Sequence, residues 1–237
     1  LTRFDDKRQK QTLEIVAFGT ISSGKSSLLN ALAGRDVFAT DAKGGTTIRR
    51  SETPWPGLEK VTLVDTPGLG EVDGEERTAI SADAARDADV VLMTVDGPLR
   101  DVEHDLLERL GQMEKRVIVC LNKEDWYADE ERQRLVGQLC EQAAPIVAAE
   151  NVVAVRARPT TRARVRVLPD GSQAEEQVPV APDIGPLAER LMEVVRGEGE
   201  SLLLANLLLQ SRGLVEEARH RVRQALDRRA WQIVDRY

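Results

Sequence analysis

Short apolar runs alternate along this chain with amphipathic stretches. The runs at 13–18, 61–64, 90–95, 116–121 and 152–155 are rich in Val, Ile and Leu and lack a two-residue alternation, which marks strands covered on both faces. A further segment at 48–53 alternates and carries charge, as an edge strand does. It leads into Pro54-Trp55-Pro56-Gly57, which predicts a turn. Helical spacing between the runs predicts helices over 25–33, 75–87, 101–112 and 129–143. Strand–helix alternation of this kind builds a doubly wound, mostly parallel α/β sheet whose ligand site lies at the carboxyl ends of the strands.

The pattern changes near residue 160, dividing the chain into a core at 1–160, a hairpin insertion at 161–182 and helices over 183–237. Alternation in Arg162-Ala-Arg-Val-Arg-Val and again in Gln177-Val-Pro-Val, on either side of Pro169-Asp170-Gly171, predicts a β-hairpin. A helix over 183–196 is expected to break at Gly197-Glu198-Gly199, and a long amphipathic helix to run from 201 to about 235. That last helix carries more arginine than acid in an otherwise acidic protein. A basic amphipathic helix can lie on an anionic membrane, but packing on the core or on a partner is the simpler expectation.

Composition narrows the function classes. The chain has 237 residues, 41% hydrophobic and 31% charged, enough for one large domain with an appendage. A net charge of −7 gives no global basic field, so sequence-specific nucleic-acid binding is not expected. Cys120 and Cys140 make no disulfide framework, which points to a reducing, cytoplasmic compartment. The most apolar stretch, at 202–209, is far shorter than the roughly 20 residues a bilayer requires. Leu1 in place of Met, and the lack of a helix stop near Tyr237, suggest a chain trimmed at its ends.

Candidate chemistry lies in four separated motifs. Gly19-Thr-Ile-Ser22-Ser23-Gly24-Lys25-Ser26 follows an apolar run and precedes a helical one, the setting of a phosphate-binding loop. Its backbone N–H groups, including those of Ser22 and Ser23, can converge on phosphates with the helix N-terminus behind them. Lys25 is placed to bridge the β- and γ-phosphates, Ser26 to ligate Mg²⁺, and Ser27 to bond the α-phosphate. In Asp65-Thr-Pro-Gly68 the carboxylate can hold Mg²⁺, while the Gly68 N–H can reach a γ-phosphate that GDP lacks. Between these, Gly45-Thr46-Thr47 supplies hydroxyls, and Thr47 is the preferred one to complete the metal shell.

Asn122-Lys123-Glu124-Asp125 selects the base. The Asp125 carboxylate can accept from guanine N1–H and N2–H₂, whereas adenine offers no donor there and would strand the charge. Asn122 would support the base and neighbouring loops, Lys123 would lay its stem along the ring, and the backbone N–H of Ala157, after the last strand, is the candidate for the guanine carbonyl.

In this order the motifs resemble those of the Era/EngA/TrmE-like GTPases, within the larger class that includes septins and dynamin. The likeness runs over 13–158 and rests on Gly19-x4-Gly-Lys-Ser, Gly45-Thr-Thr, Asp65-Thr-Pro-Gly-Leu and Asn122-Lys-x-Asp125. It implies a P-loop G domain that hydrolyses GTP with Mg²⁺, with Lys25, Thr47 and Gly68 closest to the reaction. The hairpin and last helices are similar, less specifically, to bacterial GTPases that continue into a hydrophobic membrane-associated region. That similarity implies a peripheral location at the inner membrane through a segment beyond Tyr237. Two positions depart from the pattern. Potassium-using members carry Asn where Ser22 stands, and Ras-like proteins place a water-orienting Gln where Leu69 stands. Hydrolysis is therefore expected to be slow in isolation and completed by an activating protein or a nucleotide-dependent dimer. Arg49 and Arg50 could contribute charge in cis or across such a dimer, though a solvated edge strand explains them more simply. A GTP-regulated assembly or membrane module, and a nucleotide-binding scaffold with little turnover, remain the competing expectations.

Overall fold

The computed structural model describes residues 12–40, 51–68, 84–167, 173–199 and 201–202. Its elements are β1 (Leu13–Phe18), α1 (Lys25–Ala33), β2 (Ser51–Trp55), β3 (Leu58–Asp65), β4 (Val90–Val95), α2 (Asp101–Gln112), β5 (Arg116–Leu121), α3 (Asp129–Ala143), β6 (Val152–Ala154), β7 (Thr160–Val167), β8 (Gln173–Val180) and α4 (185–199). Six strands form one sheet in the order β2-β3-β1-β4-β5-β6. All neighbours are parallel except β2 and β3. This is the doubly wound α/β sheet that the apolar runs require.

All six residues of β1 and of β4 are buried, which accounts for their unbroken apolar composition. One face carries Ile15, Ala17, Leu63 and Leu92 against α1 and α4. The other carries Val16, Phe18, Val91 and Val119 against the helical turn at 84–87, α2 and α3. Cys120 is fully buried and free, and burial pushes its thiol pKa far above the usual value.

The structure revises several boundaries. The edge strand runs through Pro54 and Trp55, and only Pro56-Gly57 turns. Trp55 is held in the strand because its side chain is buried in the core, and the register shift at Pro54/Trp55 admits the proline at an edge. Pairing with β2 also lengthens β3 to eight residues. In contrast β6 stops at Ala154, one residue early. Helix α4 passes through Gly197 and Gly199 instead of breaking before them. An Arg116–Glu198 ion pair anchors this turn, and Gly199 lies against Leu13, so tertiary contact overrides a propensity penalty of about 1 kcal/mol per glycine. Strands β7 and β8 pair antiparallel in their own sheet, as the alternation predicts. Residues 48–50, most of the 75–87 helix, the hairpin tip and the terminal helix beyond 202 lie outside the described residues. Among the described residues no helix is long and apolar enough to cross a membrane.

Candidate nucleotide site

Strand β1 delivers the chain into the loop Gly19–Gly24 at the carboxyl end of the sheet, and α1 begins directly after it. Two glycines are dictated by contact. A Cβ on Gly19 would stand 2.1 Å from the Thr94 carbonyl oxygen. At Gly24, φ is 96°, and a Cβ would stand 2.2 Å from Asn122 Nδ2. Ser22 is left-handed at φ 64° and Lys123 at φ 59°, two of the three non-glycine residues with positive φ among the described residues. Such strain gathers at functional sites because surrounding structure has to enforce it.

The electrostatics suit an anion. Helices α2 and α3 both open with acidic residues, whereas the first turn of α1 has none. Its positive end therefore carries no acid of its own, and its first residue is a lysine. Lys25 is 6% exposed and donates from Nζ to the carbonyls of Gly19 at 3.1 Å and Thr20 at 2.9 Å. Burial lowers its pKa, opposed by the charges of Asp65 and Glu103. A buried cation met by two neutral carbonyls is stabilised by any phosphate that arrives. Ser23 Oγ is also buried there without a hydrogen-bond partner.

The other motifs close on this loop. Ser26 Oγ donates to Asp65 Oδ2 at 2.7 Å, joining α1 to the end of β3. Gly68 lies against Ile21 of the loop, where a Cβ would come within 3.0 Å of Ile21 Cγ1. Asn122 is 2% exposed, donates from Nδ2 to the Ser23 carbonyl at 2.9 Å and accepts the Ala157 N–H at 3.1 Å. The Ala157 N–H, expected to face a guanine carbonyl, is thus engaged inside the protein, because a buried amide oxygen needs a donor. Asp125 sits half-buried in a short 3₁₀ turn, Glu124–Trp126, with no hydrogen bond or ion pair among the described residues. Its neighbour Glu124 draws both Arg132 and Arg156, leaving the Asp125 carboxylate available. The Lys123 ammonium lies 4.2 Å above the Trp126 ring and 3.0 Å from Asp96 Oδ2. Thr47 is outside the described residues.

Other polar residues join the site without belonging to any of the four motifs. Arg158 Nε donates to Ser27 Oγ at 2.8 Å. Arg100 donates to Thr20 Oγ1 at 2.6 Å, and Thr20 in turn donates to the buried Glu103 at 2.9 Å. The one signal for these in the sequence was Glu103 at the third position of a helix after an apolar strand, where it accepts the Arg100 backbone N–H as half of a capping box.

A Gly19-x4-Gly-Lys-Ser loop after the first strand of a doubly wound sheet, with Asn122-Lys-x-Asp125 after β5, is the arrangement of a P-loop α/β fold. The sequence family described as 50S ribosome-binding GTPase, MMR_HSR1, matches residues 14–123. GTPase Era of Rickettsia akari is 33% identical over 138 residues, covering 54% of this chain and 47% of that one. The tRNA modification GTPase MnmE of Nitratidesulfovibrio vulgaris is 37% identical over 118 residues, covering 47% of this chain and 25% of that one. Among solved structures, a single-residue variant of Aquifex aeolicus Era bound to GDP.AlF4- superposes with a TM-score of 0.54 at 25% identity, covering 61% of this chain and 50% of that one. The chain thus spans half or less of the length of these relatives. Over residues 14–123 the chain is similar to GTPases of the Era and MnmE kind, and its sheet has the fold of a P-loop GTPase.

Proposed function

We propose that this chain binds GTP at the carboxyl ends of β1, β3 and β5 and hydrolyses it to GDP and phosphate as a molecular switch. The observation that carries the reading is the Ser26–Asp65 contact at 2.7 Å, which joins two motifs 39 residues apart beside the phosphate loop. Two hard oxygens in that place fit Mg²⁺, with Thr47 the third candidate ligand. Bound there, the ion would offset phosphate charge.

The remaining roles belong to the chain. The backbone from Gly19 to Gly24, Ser22 and Ser23 included, cradles the phosphates. Lys25 leaves its loop carbonyls for the β- and γ-phosphates, and Ser27 turns from Arg158 to the α-phosphate. Gly68 donates its N–H to the γ-phosphate and so makes the following segment sensitive to hydrolysis. Asp125 accepts from the guanine edge, Lys123 lies along the ring, and Ala157 supports the base through Asn122. Leu69 cannot polarise water, so turnover is slow until a second protein or a second copy supplies a group at the γ-phosphate.

Single-turnover phosphate release from GTP and XTP tests this reading. The unaltered chain releases phosphate from GTP, and Lys25→Ala does not. Asp125→Asn loses two charge-assisted hydrogen bonds of about 1.5–3 kcal/mol each, weakening GTP roughly a hundredfold or more. It gains XTP, because the amide can donate where xanthine presents a carbonyl. Release of phosphate that survives Lys25→Ala, or unchanged GTP binding by Asp125→Asn, overturns the assignment.

A further inference from the structure

The four motifs leave unexplained a continuous chain of polar contacts on the β4–α2 side of the site. It starts at the base-selecting motif, where Lys123 Nζ donates to Asp96 Oδ2 at 3.0 Å. The other oxygen of Asp96 accepts Arg100 Nη2 at 2.9 Å. Arg100 Nη1 donates to Thr20 Oγ1 at 2.6 Å, and Thr20 Oγ1 donates to Glu103 Oε1 at 2.9 Å. Glu103 is 1% exposed and is held by the Arg100 backbone N–H at 3.0 Å. The Thr20 carbonyl, one residue beyond Gly19, accepts from Lys25 Nζ at 2.9 Å. A side chain of the base motif and the phosphate-binding lysine are therefore connected through Asp96, Arg100 and Thr20.

We propose that Arg100 is a positioning residue that ties the guanine-reading loop to the phosphate loop, acting through Asp96 on one side and Thr20 on the other; this rests on the GTPase reading above. The guanidinium suits the task because its planar fork can hold two acceptors at fixed separation, which an ammonium on a flexible stem cannot. Glu103 makes the arrangement directional. Its buried carboxylate accepts the hydrogen bond of the Thr20 hydroxyl, which leaves the Thr20 oxygen lone pairs to accept from Arg100. When a base settles against Lys123, the hold of Lys123 on Asp96 changes, and Arg100 carries that change to the loop that holds Lys25. Arg100 touches no reacting atom in this account. Its effect therefore falls on nucleotide affinity and leaves the cleavage step alone.

The test is a double-mutant cycle on the 237-residue chain with Arg100→Gln and Thr20→Val, measuring GTP and GDP dissociation constants and single-turnover cleavage at saturating GTP. Each single variant should weaken GTP and GDP alike by about tenfold, the worth of one charge-assisted hydrogen bond. For Arg100→Gln, cleavage from the saturated complex should stay within about threefold. Because both break the Arg100–Thr20 contact, the double variant should lose clearly less than the sum of the two single losses, and Arg100→Lys should recover only part of the loss. Fully additive losses, full recovery with lysine, or a fall in cleavage rate at unchanged affinity each overturn the relay. If the unaltered chain binds GTP and Arg100→Gln binds it equally well, only the relay falls. If the unaltered chain does not bind GTP, the GTPase reading falls first.

Discussion

Lys25 is a cation buried in the candidate site. Burial holds its pKa below the ordinary 10.5, with Asp65 and Glu103 pulling the other way. The unfolded chain then binds the proton more tightly than the folded one, so stability rises with pH between the lowered folded pKa and 10.5. Below that window the lysine is protonated in both states and its penalty is constant. Lys25→Met removes the penalty altogether. The nucleotide-free variant should be more stable than the unaltered protein near neutrality, and thermal unfolding followed against pH should show the gap closing as pH climbs toward 10.5. A gap that stays flat through the alkaline range would mean that Lys25 carries no such cost. A phosphate bound beside Lys25 would favour the charged form and raise its pKa again, so the lysine that costs stability in the empty site would favour the filled one.

Asn122 makes the corresponding case for the elements, because one buried amide joins the end of β5, the phosphate loop and the segment after β6. Asn122→Ala leaves the Ser23 carbonyl and the Ala157 N–H without their partner. It should destabilise the nucleotide-free protein by about 1–3 kcal/mol, read as a lowered urea midpoint at constant slope. An unshifted midpoint would show that water replaces the amide freely. How much of this was legible in the sequence depended on the range of the contacts. Helices α1, α2 and α3 and strands β1, β4 and β5 fall where the pattern puts them, since their boundaries are set by the local period and by punctuation such as Gly24 and Gly34. Trp55 and Gly197-Glu198-Gly199 were misleading because a distant core and the Arg116–Glu198 pair decide their conformation. For the site, the motifs marked the loops, and the structure brings Ser26 to Asp65 and Asn122 to Ser23. Arg100 was hidden because its meaning lies in Thr20, 80 residues earlier.

At the scale of the whole molecule, α4 separates stability from nucleotide chemistry. Leu187, Leu191 and Val194 are buried to 0%, 0% and 1% exposure and complete the core face shared with α1. The helix is anchored through Glu198 to Arg116 at the start of β5, the end of that strand away from Asn122. The candidate site residues gather at the carboxyl ends of the strands, whereas the buried face of α4 packs into the core against the sheet and α1. Leu191→Ala should therefore lower stability by about 2–5 kcal/mol, a large part of the roughly 5–15 kcal/mol that holds a domain together. Well below the unfolding transition its GTP dissociation constant should stay within about twofold of the unaltered protein, because Leu191 meets α1 only through the apolar core and takes no part in the hydrogen bonds of the site. Urea unfolding and nucleotide titration on the same preparation check both halves. A loss of affinity matching the loss of stability would show instead that α4 sets the conformation of the nucleotide site, and the helix would then belong to the switch rather than to its scaffold.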